Sequence, residues 1–491
     1  MSSLALAEGA LQRGDLQGAE KILSALVSES PSSPEAWYYL GTVFARTARH
    51  RDAAAAIERS LTLAGDFFEG LHDLGILATM LGKPTEAVTL LEKAQALRPR
   101  SWEVLNDKGI ALSACGRFHD AIEAYDQALL LSQRREAFPW LNKGVALHDS
   151  GRFRESIAAY QKAAELKPDY IEAWCNRAYV LLTLGEFSEG FRLYEQRWRY
   201  DDAKERHTGI PRWRGDASLA GKRILLWAEQ GYGDTVQFCR YAPLVAQLGA
   251  EVTIEVQRPL KNLIATLGRC TTVAQDELTG HFDYQSPLLS LPLAFRTTLE
   301  SIPSATPYLK ASPERVRYWK ERLPHAGRIR AGIACSGRRT FKYYRQRSIP
   351  LREFAPLLPH AELFLLQTEL GDEDRAALQE DKAFRYLGDQ LQDFQDTAAV
   401  VSNLDLVITA DTALAHVAGA LGKPTWILLS WVPAWQWLLD RDDSPWYPSA
   451  RLFRQKQPGN WDQVLKEVAG RLERLAPTAS SSVENGAPGR I

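Results

Sequence analysis

The stretch ITADTALAHVAGALGKPT, residues 408–425, combines a short apolar strand with a helix of small residues that begins near Asp411. The first helical residues, Thr412, Ala413 and Leu414, would present backbone N–H groups at the positive end of the helix dipole, which suits phosphate oxygens. His416 lies one turn after Thr412, outside the stripe that is expected to be buried. That stripe recurs at helical spacing at Leu414, Val417, Ala418 and Leu421. These features indicate an anion site.

The same stretch also fits a helix that binds nothing. Asp411 could cap the helix, Gly422 is placed for its C-terminal turn, and Pro424 would stop it. Only His416 is then unexplained, and a histidine in a core or at a surface is common. This stretch alone leaves both interpretations open.

A second stretch, IACSGRRTFKYYRQRSIP, carries a cluster of cations. Ser336 ends an apolar strand, and Lys342, Arg345 and Arg347 crowd the loop that follows. Such a run is often only a solvated surface, but these cations could also neutralise a diphosphate. Because this loop and the Asp411 helix both follow the carboxyl ends of strands in one sheet, we expect the two to converge.

A third stretch, RILLWAEQGYGDTVQFCRYAPL, predicts a strand, a turn and a helix that begins near Asp234. Gln230, Gly231 and Gly233 are predicted as loop residues on the acceptor side, and the two glycines would allow a ligand to approach the backbone closely. A dinucleotide fingerprint would need a glycine where Val236 stands, which disfavours nicotinamide chemistry. Asp234 could act as a base or simply cap the helix.

Composition is that of an ordinary globular protein: 491 residues, 45% hydrophobic and 24% charged, with a formal net charge of -1. The charge balance predicts no nucleic-acid partner. The five cysteines form no close pair and suggest reduced thiols in the cytoplasm. Neither a signal peptide nor an uncharged run long enough for a membrane span is evident.

A repeat of about 34 residues fills the first part of the chain. Small residues recur 34, 34, 35 and 34 positions apart at Gly41, Gly75, Gly109, Gly144 and Ala178. Larger residues follow each of them by sixteen, at Ile57, Leu91, Tyr125, Tyr160 and Tyr194. The pattern resembles the tetratricopeptide repeat, which implies an α-solenoid over residues 1–204 whose groove holds another polypeptide.

The rest of the chain alternates apolar strands with helices, which predicts α/β structure with parallel sheets. A linker at 205–220 would lead to two facing Rossmann-like lobes at 221–312 and 313–475, and 476–491 would be a disordered tail. The predicted strands cover 223–228, 251–256, 282–285, 329–334, 363–367, 406–409 and 425–429.

The motifs EQGYGD, S-G…R-Q-R-S-I-P and DTALAHVAGALGKP together resemble the heptosyltransferase-like glycosyltransferases with the two-lobed B-type (GT-B) fold, over about residues 221–475. The combination with repeats is similar to enzymes that glycosylate proteins, including repeat-bearing flagellin glycosyltransferases. The resemblance implies a nucleotide-sugar substrate, a metal-independent and inverting reaction, and no cofactor.

The resemblance also implies roles for matching residues. Asp234 would take the proton of the acceptor hydroxyl, and Asp411 would bind sugar hydroxyls. Arg347 would neutralise the leaving diphosphate, although family members often have lysine there. The remaining donor contacts would come from Ser336, Arg345, His416 and the N–H groups of Thr412, Ala413 and Leu414, with Ala413 standing where glycine is frequent.

Two other features have simpler explanations. The Asp-x-Asp triplets at 372–374 and 440–442 could hold a divalent ion, but both are predicted to be solvated. The tryptophans between 431 and 446 are expected to pack between the lobes, with sugar stacking as the less favoured alternative.

The sequence therefore predicts a cytoplasmic glycosyltransferase that moves a sugar from a nucleotide donor to a hydroxyl of a protein bound by the repeats, with flagellin as one candidate acceptor. A first alternative is a non-catalytic adaptor whose GT-B-like domain only binds a nucleotide sugar. A second is a transferase that acts on a lipid-linked glycan and uses its repeats for assembly.

Overall fold

The computed structural model describes residues 2–200, 205–323, 327–337 and 344–475. The chain divides into two compact units, Met1–Val180 and Leu181–Ile491. None of the described helices is long and apolar enough to cross a membrane.

The first unit consists of paired antiparallel helices, and the pairing continues into the start of the second. In chain order the helices are α1 (Ser3–Gln12), α2 (Leu16–Glu29), α3 (Pro34–Arg46), α4 (His50–Ala64), α5 (Phe68–Met80), α6 (Pro84–Leu97), α7 (Trp102–Ala114), α8 (Phe118–Leu131), α9 (Ala137–Asp149), α10 (Phe153–Leu166), α11 (Ile171–Thr183) and α12 (Phe187–Tyr194).

The small residue of each repeat makes room for the side chain of the large residue sixteen positions later. A Cβ added at Gly109 would lie 2.5 Å from the Tyr125 ring, and one at Gly144 would lie 2.6 Å from the Tyr160 ring. The two helices of a repeat can therefore approach closely only where the first helix lacks a side chain. The periodicity in the sequence is thus a packing requirement, and the predicted solenoid of tetratricopeptide type is confirmed.

The second unit contains two parallel sheets. The first has the order β3-β2-β1-β4 and the second the order β10-β9-β8-β5-β6-β7. The strands are β1 (Arg223–Trp227), β2 (Glu251–Val256), β3 (Thr271–Ala274), β4 (Tyr284–Pro287), β5 (Ile329–Ala334), β6 (Ala361–Leu365), β7 (Arg385–Tyr386), β8 (Leu406–Ala410), β9 (Thr425–Leu429) and β10 (Ala450–Arg454).

Helices connect these strands. They are α13 (Tyr232–Phe238), α14 (Ala242–Gln247), α15 (Lys261–Ile264), α16 (Leu291–Ala294), α17 (Pro313–Arg322), α18 (Tyr344–Arg347), α19 (Asp372–Glu380), α20 (Phe394–Asn403), α21 (Ala413–Ala420) and α22 (Trp461–Leu475). Every residue of β6, β8 and β9 is buried because helices cover both faces of the second sheet. The predicted α/β class with parallel sheets is therefore confirmed.

Three strands were absent from the prediction: β3, β7 and β10. All lie at sheet edges, where one side of a strand has no partner, and β7 has only two residues. β3 is mostly half-buried or exposed, so its sequence lacks the run of apolar residues found in strands such as β1 and β8.

The boundary between the units also differs from the predicted one at residue 204. Helix α12 belongs to the second unit, where Phe191 packs edge-on against Trp435 with ring centroids 5.6 Å apart. The predicted linker extends the first sheet, because the Trp213 N–H donates to the Gln285 carbonyl at 2.8 Å. The repeat periodicity of the sequence continues through α12, so the sequence alone does not show that this helix packs within the second unit.

Candidate active site

The turn after β1 carries Asp234 into the first turn of α13. One carboxylate oxygen of Asp234 accepts the Gly231 N–H at 3.1 Å, so the side chain does cap the helix. Gln230 and Gly231 form the turn itself, and Gly233 lies on the helix. Capping uses one oxygen, which leaves the other for a further contact.

Burial raises the pKa of Asp234 from 3.8 to about 6. The Gly231 N–H and Arg347 oppose this shift, whereas the negative charges of Asp411 and Glu229 add to it. A carboxyl group with a pKa near 6 is ionised at neutral pH and is a stronger base than an ordinary aspartate. The environment of Asp234 therefore suits proton abstraction.

Helix α21 begins after Thr412, which is its N-cap. The Thr412 hydroxyl accepts the Leu414 N–H at 3.3 Å and lies 3.1 Å from the Thr409 hydroxyl. Asp411 is therefore not the cap that the simpler interpretation of the sequence required. The Leu414 N–H would have to exchange its contact with Thr412 to bind a phosphate, whereas Ala413 is the first residue inside the helix.

Asp411 is held by Arg347. One terminal nitrogen of Arg347 lies 3.2 Å from a carboxylate oxygen of Asp411 and also donates to the Asp411 backbone carbonyl. Asp411 is only 5% exposed, whereas the Arg347 side chain is 28% exposed and thus reachable by a ligand. The structure therefore brings Arg347, the last cation of the predicted cluster, to the start of α21, as expected from the two strand ends.

The other residues predicted to bind the donor between Ser336 and Arg347 are placed by the structure only in part. Ser336 is buried, and its hydroxyl accepts from the side-chain amide of Gln367 at 2.9 Å. The Gln367 oxygen in turn accepts the N–H groups of Cys335 and Ser336. Lys342 lies outside the described residues, as does the side chain of Arg345. Gln367, which holds the end of β5, was not singled out in the sequence because a lone glutamine carries no motif.

The prediction that His416 lies off the buried face of α21 is wrong. His416 is 4% exposed, its Nδ1 is 2.9 Å from the Tyr447 hydroxyl, and its ring stacks on Trp437. Burial lowers its pKa to about 4, so the imidazole is neutral. Both α13 and the 430–447 segment pack on α21 around His416. All residues of the helix from Leu414 to Ala420 are buried, so the spacing of its apolar residues could not show that His416 is buried as well.

The two lobes meet where α13 faces α21. A Cβ at Gly233 would lie 2.8 Å from the His416 ring and 3.6 Å from the Ala413 Cα. Just after the end of α13, the buried Arg240 donates to the Trp446 carbonyl at 2.7 Å and to the Tyr308 hydroxyl at 2.9 Å. Asp234 of the first lobe thus lies within electrostatic reach of Asp411 and Arg347 of the second.

The tryptophan cluster packs between the lobes. Trp435 stacks on Phe238 of α13 with centroids 6.1 Å apart, and Trp446 contacts the same ring at 5.7 Å. This arrangement agrees with the packing interpretation for these two residues. Trp431, which is 37% exposed, is the most accessible of the four tryptophans in the segment.

The acidic triplets are not both solvated, which corrects the prediction. Asp374 is 8% exposed and accepts the Leu351 N–H at 2.9 Å, so it ties the start of α19 to the segment that follows α18. Asp442 pairs with Arg451 at the surface at 2.8 Å. Among the described residues, the cluster with metal-ligand spacing is His119, Asp120 and Glu123 on α8, and Asp120 there is already paired with Arg117.

Comparison with protein families matches residues 4–66 and 72–139 to a tetratricopeptide-repeat model and residues 144–185 to a second repeat model. Residues 377–428 match glycosyltransferase family 9 (heptosyltransferase), a segment that contains α20, β8 and α21. The chain therefore combines tetratricopeptide repeats with a heptosyltransferase-like region. The matched segment includes Asp411 and His416 but neither Asp234 nor Arg347.

Among curated proteins, Protein FlbA of Caulobacter vibrioides is 30% identical over 334 residues, which are 61% of this chain and 54% of that protein. The chain thus spans about half the length of this relative. Among solved structures, MamA is 20% identical with a TM-score of 0.32 and covers 34% of this chain and 91% of its own. YrrB, a TPR protein with an unusual peptide-binding site, is 19% identical with a TM-score of 0.33 over 35% and 88% of the two chains.

Proposed function

We propose that this chain is a glycosyltransferase that moves a sugar from a nucleotide sugar to a hydroxyl group of a protein held by the repeats. The observation that carries the proposal is the meeting of Asp234, from the first lobe, with the Asp411–Arg347 ion pair of the second. A base from one lobe and a cation from the other, brought close together, are what such a transfer needs.

In the proposed reaction the acceptor oxygen attacks the anomeric carbon of the donor, and the bond between that carbon and the diphosphate oxygen breaks. The hydroxyl proton passes to Asp234, and the diphosphate leaves with the electron pair. Arg347 and the N–H groups at the start of α21 stabilise the negative charge as it develops. In this scheme the reaction needs no metal and inverts the anomeric centre.

Arg347 would have to exchange Asp411 for the diphosphate when the donor binds. Asp411 would then turn its carboxylate to the sugar hydroxyls, which is the role the family resemblance implies. Ser336, Arg345 and His416 remain candidate donor contacts. Without a donor, the ion pair compensates the charge of Asp411, which is 5% exposed, while the Oδ2 atom of Asp411 has no hydrogen-bond partner among the described residues and could accept one from a sugar hydroxyl.

The acceptor side of the proposal rests on the repeats. Tetratricopeptide repeats offer extended surfaces that hold polypeptides, and a tethered acceptor reaches an effective concentration on the order of millimolar. We propose flagellin as one candidate acceptor and the cytoplasm as the site of action, where the five free cysteines would stay reduced.

A panel of nucleotides, nucleoside diphosphates and nucleotide sugars, screened by thermal shift, tests the donor site. At least one nucleoside diphosphate should raise the melting temperature, because a ligand that binds only the folded state stabilises it. Arg347→Met should weaken the binding of that nucleoside diphosphate by about tenfold or more, without changing the binding of the nucleoside alone. Arg352→Met, which removes an exposed arginine nearby, is the matched control.

Transfer of labelled sugar to a protein acceptor then separates the candidate functions. Binding of a nucleotide sugar without any transfer would favour the adaptor, and a requirement for a lipid-linked glycan would favour the second alternative, the transferase that acts on such a glycan. No thermal shift with any nucleotide at millimolar concentration would contradict the proposal at its first step.

A further inference from the structure

The segment that follows helix α12 sends an arginine into the first lobe. Arg197 is 9% exposed, and all five of its N–H groups have an acceptor. Its partners are both carboxylate oxygens of Glu229 at 3.0 Å, the Ser290 hydroxyl at 2.9 Å, the Tyr194 carbonyl at 3.1 Å and the Glu195 carboxylate at 2.7 Å. A guanidinium saturated in this way has a single orientation.

Glu229 is the second residue after the end of β1 and is equally constrained. Its side chain is 5% exposed, and besides Arg197 it accepts the Leu289 N–H at 3.2 Å. Burial raises the pKa of Glu229, and Arg197 opposes that shift. The pair therefore fixes the place where the chain leaves the strand.

The next residue is tied to the same segment. The side-chain amide of Gln230 donates to the Tyr194 hydroxyl at 2.6 Å, and the Gln230 carbonyl accepts from Gln257 at 2.8 Å. The Gly231 N–H then donates to Asp234. A continuous set of contacts thus joins the end of the last repeat helix to Asp234.

We propose that Arg197 and Tyr194 are positioning residues, which hold the turn from Glu229 to Gly231 and so place the Asp234 carboxylate for proton transfer. This inference rests on the function proposed above. Misplacement of a reacting group by even about 1 Å can cost on the order of 10²-fold in rate. Rigid support for the turn therefore affects turnover more than donor binding.

The same contacts place a negative charge beside Asp234. Glu229 acts on Asp234 from its own turn, and from the second lobe Asp411 adds a negative charge and Arg347 a positive one. Tyr194 and His416 also face this region, and burial keeps both neutral at ordinary pH because it raises the pKa of Tyr194 and lowers that of His416 to about 4.

Glu229→Gln tests the arrangement through the pH dependence of kcat/KM. Loss of the negative charge should move the acid limb to lower pH by about half a unit or more, because the ionised form of Asp234 becomes easier to reach. Glu195→Gln is the matched control, since it removes a carboxylate from the same guanidinium but none that acts on Asp234. An unmoved limb in Glu229→Gln, or an equal shift in both variants, would overturn the inference.

Tyr194→Phe tests positioning separately from charge. It removes the hydrogen bond to Gln230, so kcat should fall several-fold while KM for the donor stays unchanged. Equal kcat in Tyr194→Phe and the wild type would contradict the positioning role. Should Glu229→Gln fail to fold, the double variant Arg197→Gln/Glu229→Gln replaces the ion pair by a neutral one, and its kcat should fall because the turn has lost its ionic support; a wild-type kcat would contradict the positioning role.

The proposed function fails by a different result. If Asp234→Asn retains full activity, Asp234 is not the base and the function as proposed is wrong. If Asp234→Asn is inactive while Glu229→Gln keeps the wild-type acid limb and Tyr194→Phe keeps the wild-type kcat, only the inference about the supporting residues is wrong.

Discussion

Gly233 of the first lobe lies directly against His416 of the second, so that a Cβ at residue 233 would approach the imidazole to 2.8 Å. The imidazole cannot move away easily, because it is hydrogen-bonded to Tyr447 and stacked on Trp437. The two lobes can therefore meet at this point only if residue 233 has no side chain.

Replacement of Gly233 by alanine should separate α13 from α21. We expect a loss of about 1–3 kcal/mol in the free energy of unfolding, the usual cost of an oversized group in a packed contact, together with weaker nucleotide binding. Chemical denaturation and nucleotide titration measure the two effects. Gly470→Ala on α22 is the control, since a Cβ there meets nothing within 4 Å. Equal stability of the two variants would show that the lobes do not meet as described.

Asp234→Asn should abolish sugar transfer and leave donor binding nearly intact. An amide cannot accept the hydroxyl proton, and loss of a general base costs roughly 10²- to 10⁴-fold in rate. Asparagine caps a helix almost as well as aspartate, so a purely structural role predicts a folded and active variant. Single-turnover transfer and donor affinity, measured on the same preparation, distinguish the two roles.

The same variant should change how stability depends on pH. The pKa of Asp234 is about 6 in the folded protein and 3.8 ordinarily, so the folded state holds the proton more tightly. This contribution to stability is fully present below pH 3.8 and is lost as the pH rises through about 6. Between pH 4.5 and 7.5 the wild type should lose about 2 kcal/mol relative to Asp234→Asn. Urea unfolding of both proteins across this range measures the difference, and parallel curves would mean that Asp234 has an ordinary pKa.

A chain truncated to begin at residue 181 should still fold, whereas a chain truncated to begin at residue 205 should not. A chain that starts at Leu181 keeps Phe191, which packs on Trp435, and Arg197, which neutralises the buried Glu229. Loss of Arg197 alone leaves a buried carboxylate unpaired, at a cost of about 3–5 kcal/mol. Thermal unfolding and nucleotide binding check both truncated chains. The chain starting at Leu181 should still bind nucleotide but no longer modify an intact protein acceptor. Unchanged turnover on that acceptor would exclude acceptor binding by the repeats.

Sequence alone predicted the features that depend on local patterns. The repeat of about 34 residues follows from a contact between two helices of one repeat, such as Gly109 with Tyr125, which the chain carries at constant spacing. Central strands such as β1 and β8 are buried and consist mostly of apolar residues, so they could be predicted, although β2 and β6 also carry the buried residues Glu255 and Glu362. The turn before Asp234 and the start of α21 could also be located from the sequence, because glycines and other small residues mark them.

What only the tertiary structure decided depends on residues far apart in the chain. His416 is buried because the 430–447 segment and α13 both pack on α21, and neither neighbour affects the pattern of the helix itself. Arg197 and Glu229 are 32 residues apart in the chain. The first follows the last repeat helix and the second follows the first strand, so no sequence motif contains both. The raised pKa of Asp234 likewise arises from burial between the lobes, together with the charge of Asp411 from the second lobe. Local periodicity reports which side of an element is apolar, whereas the packing of the lobes determines which groups lose water and which charges meet.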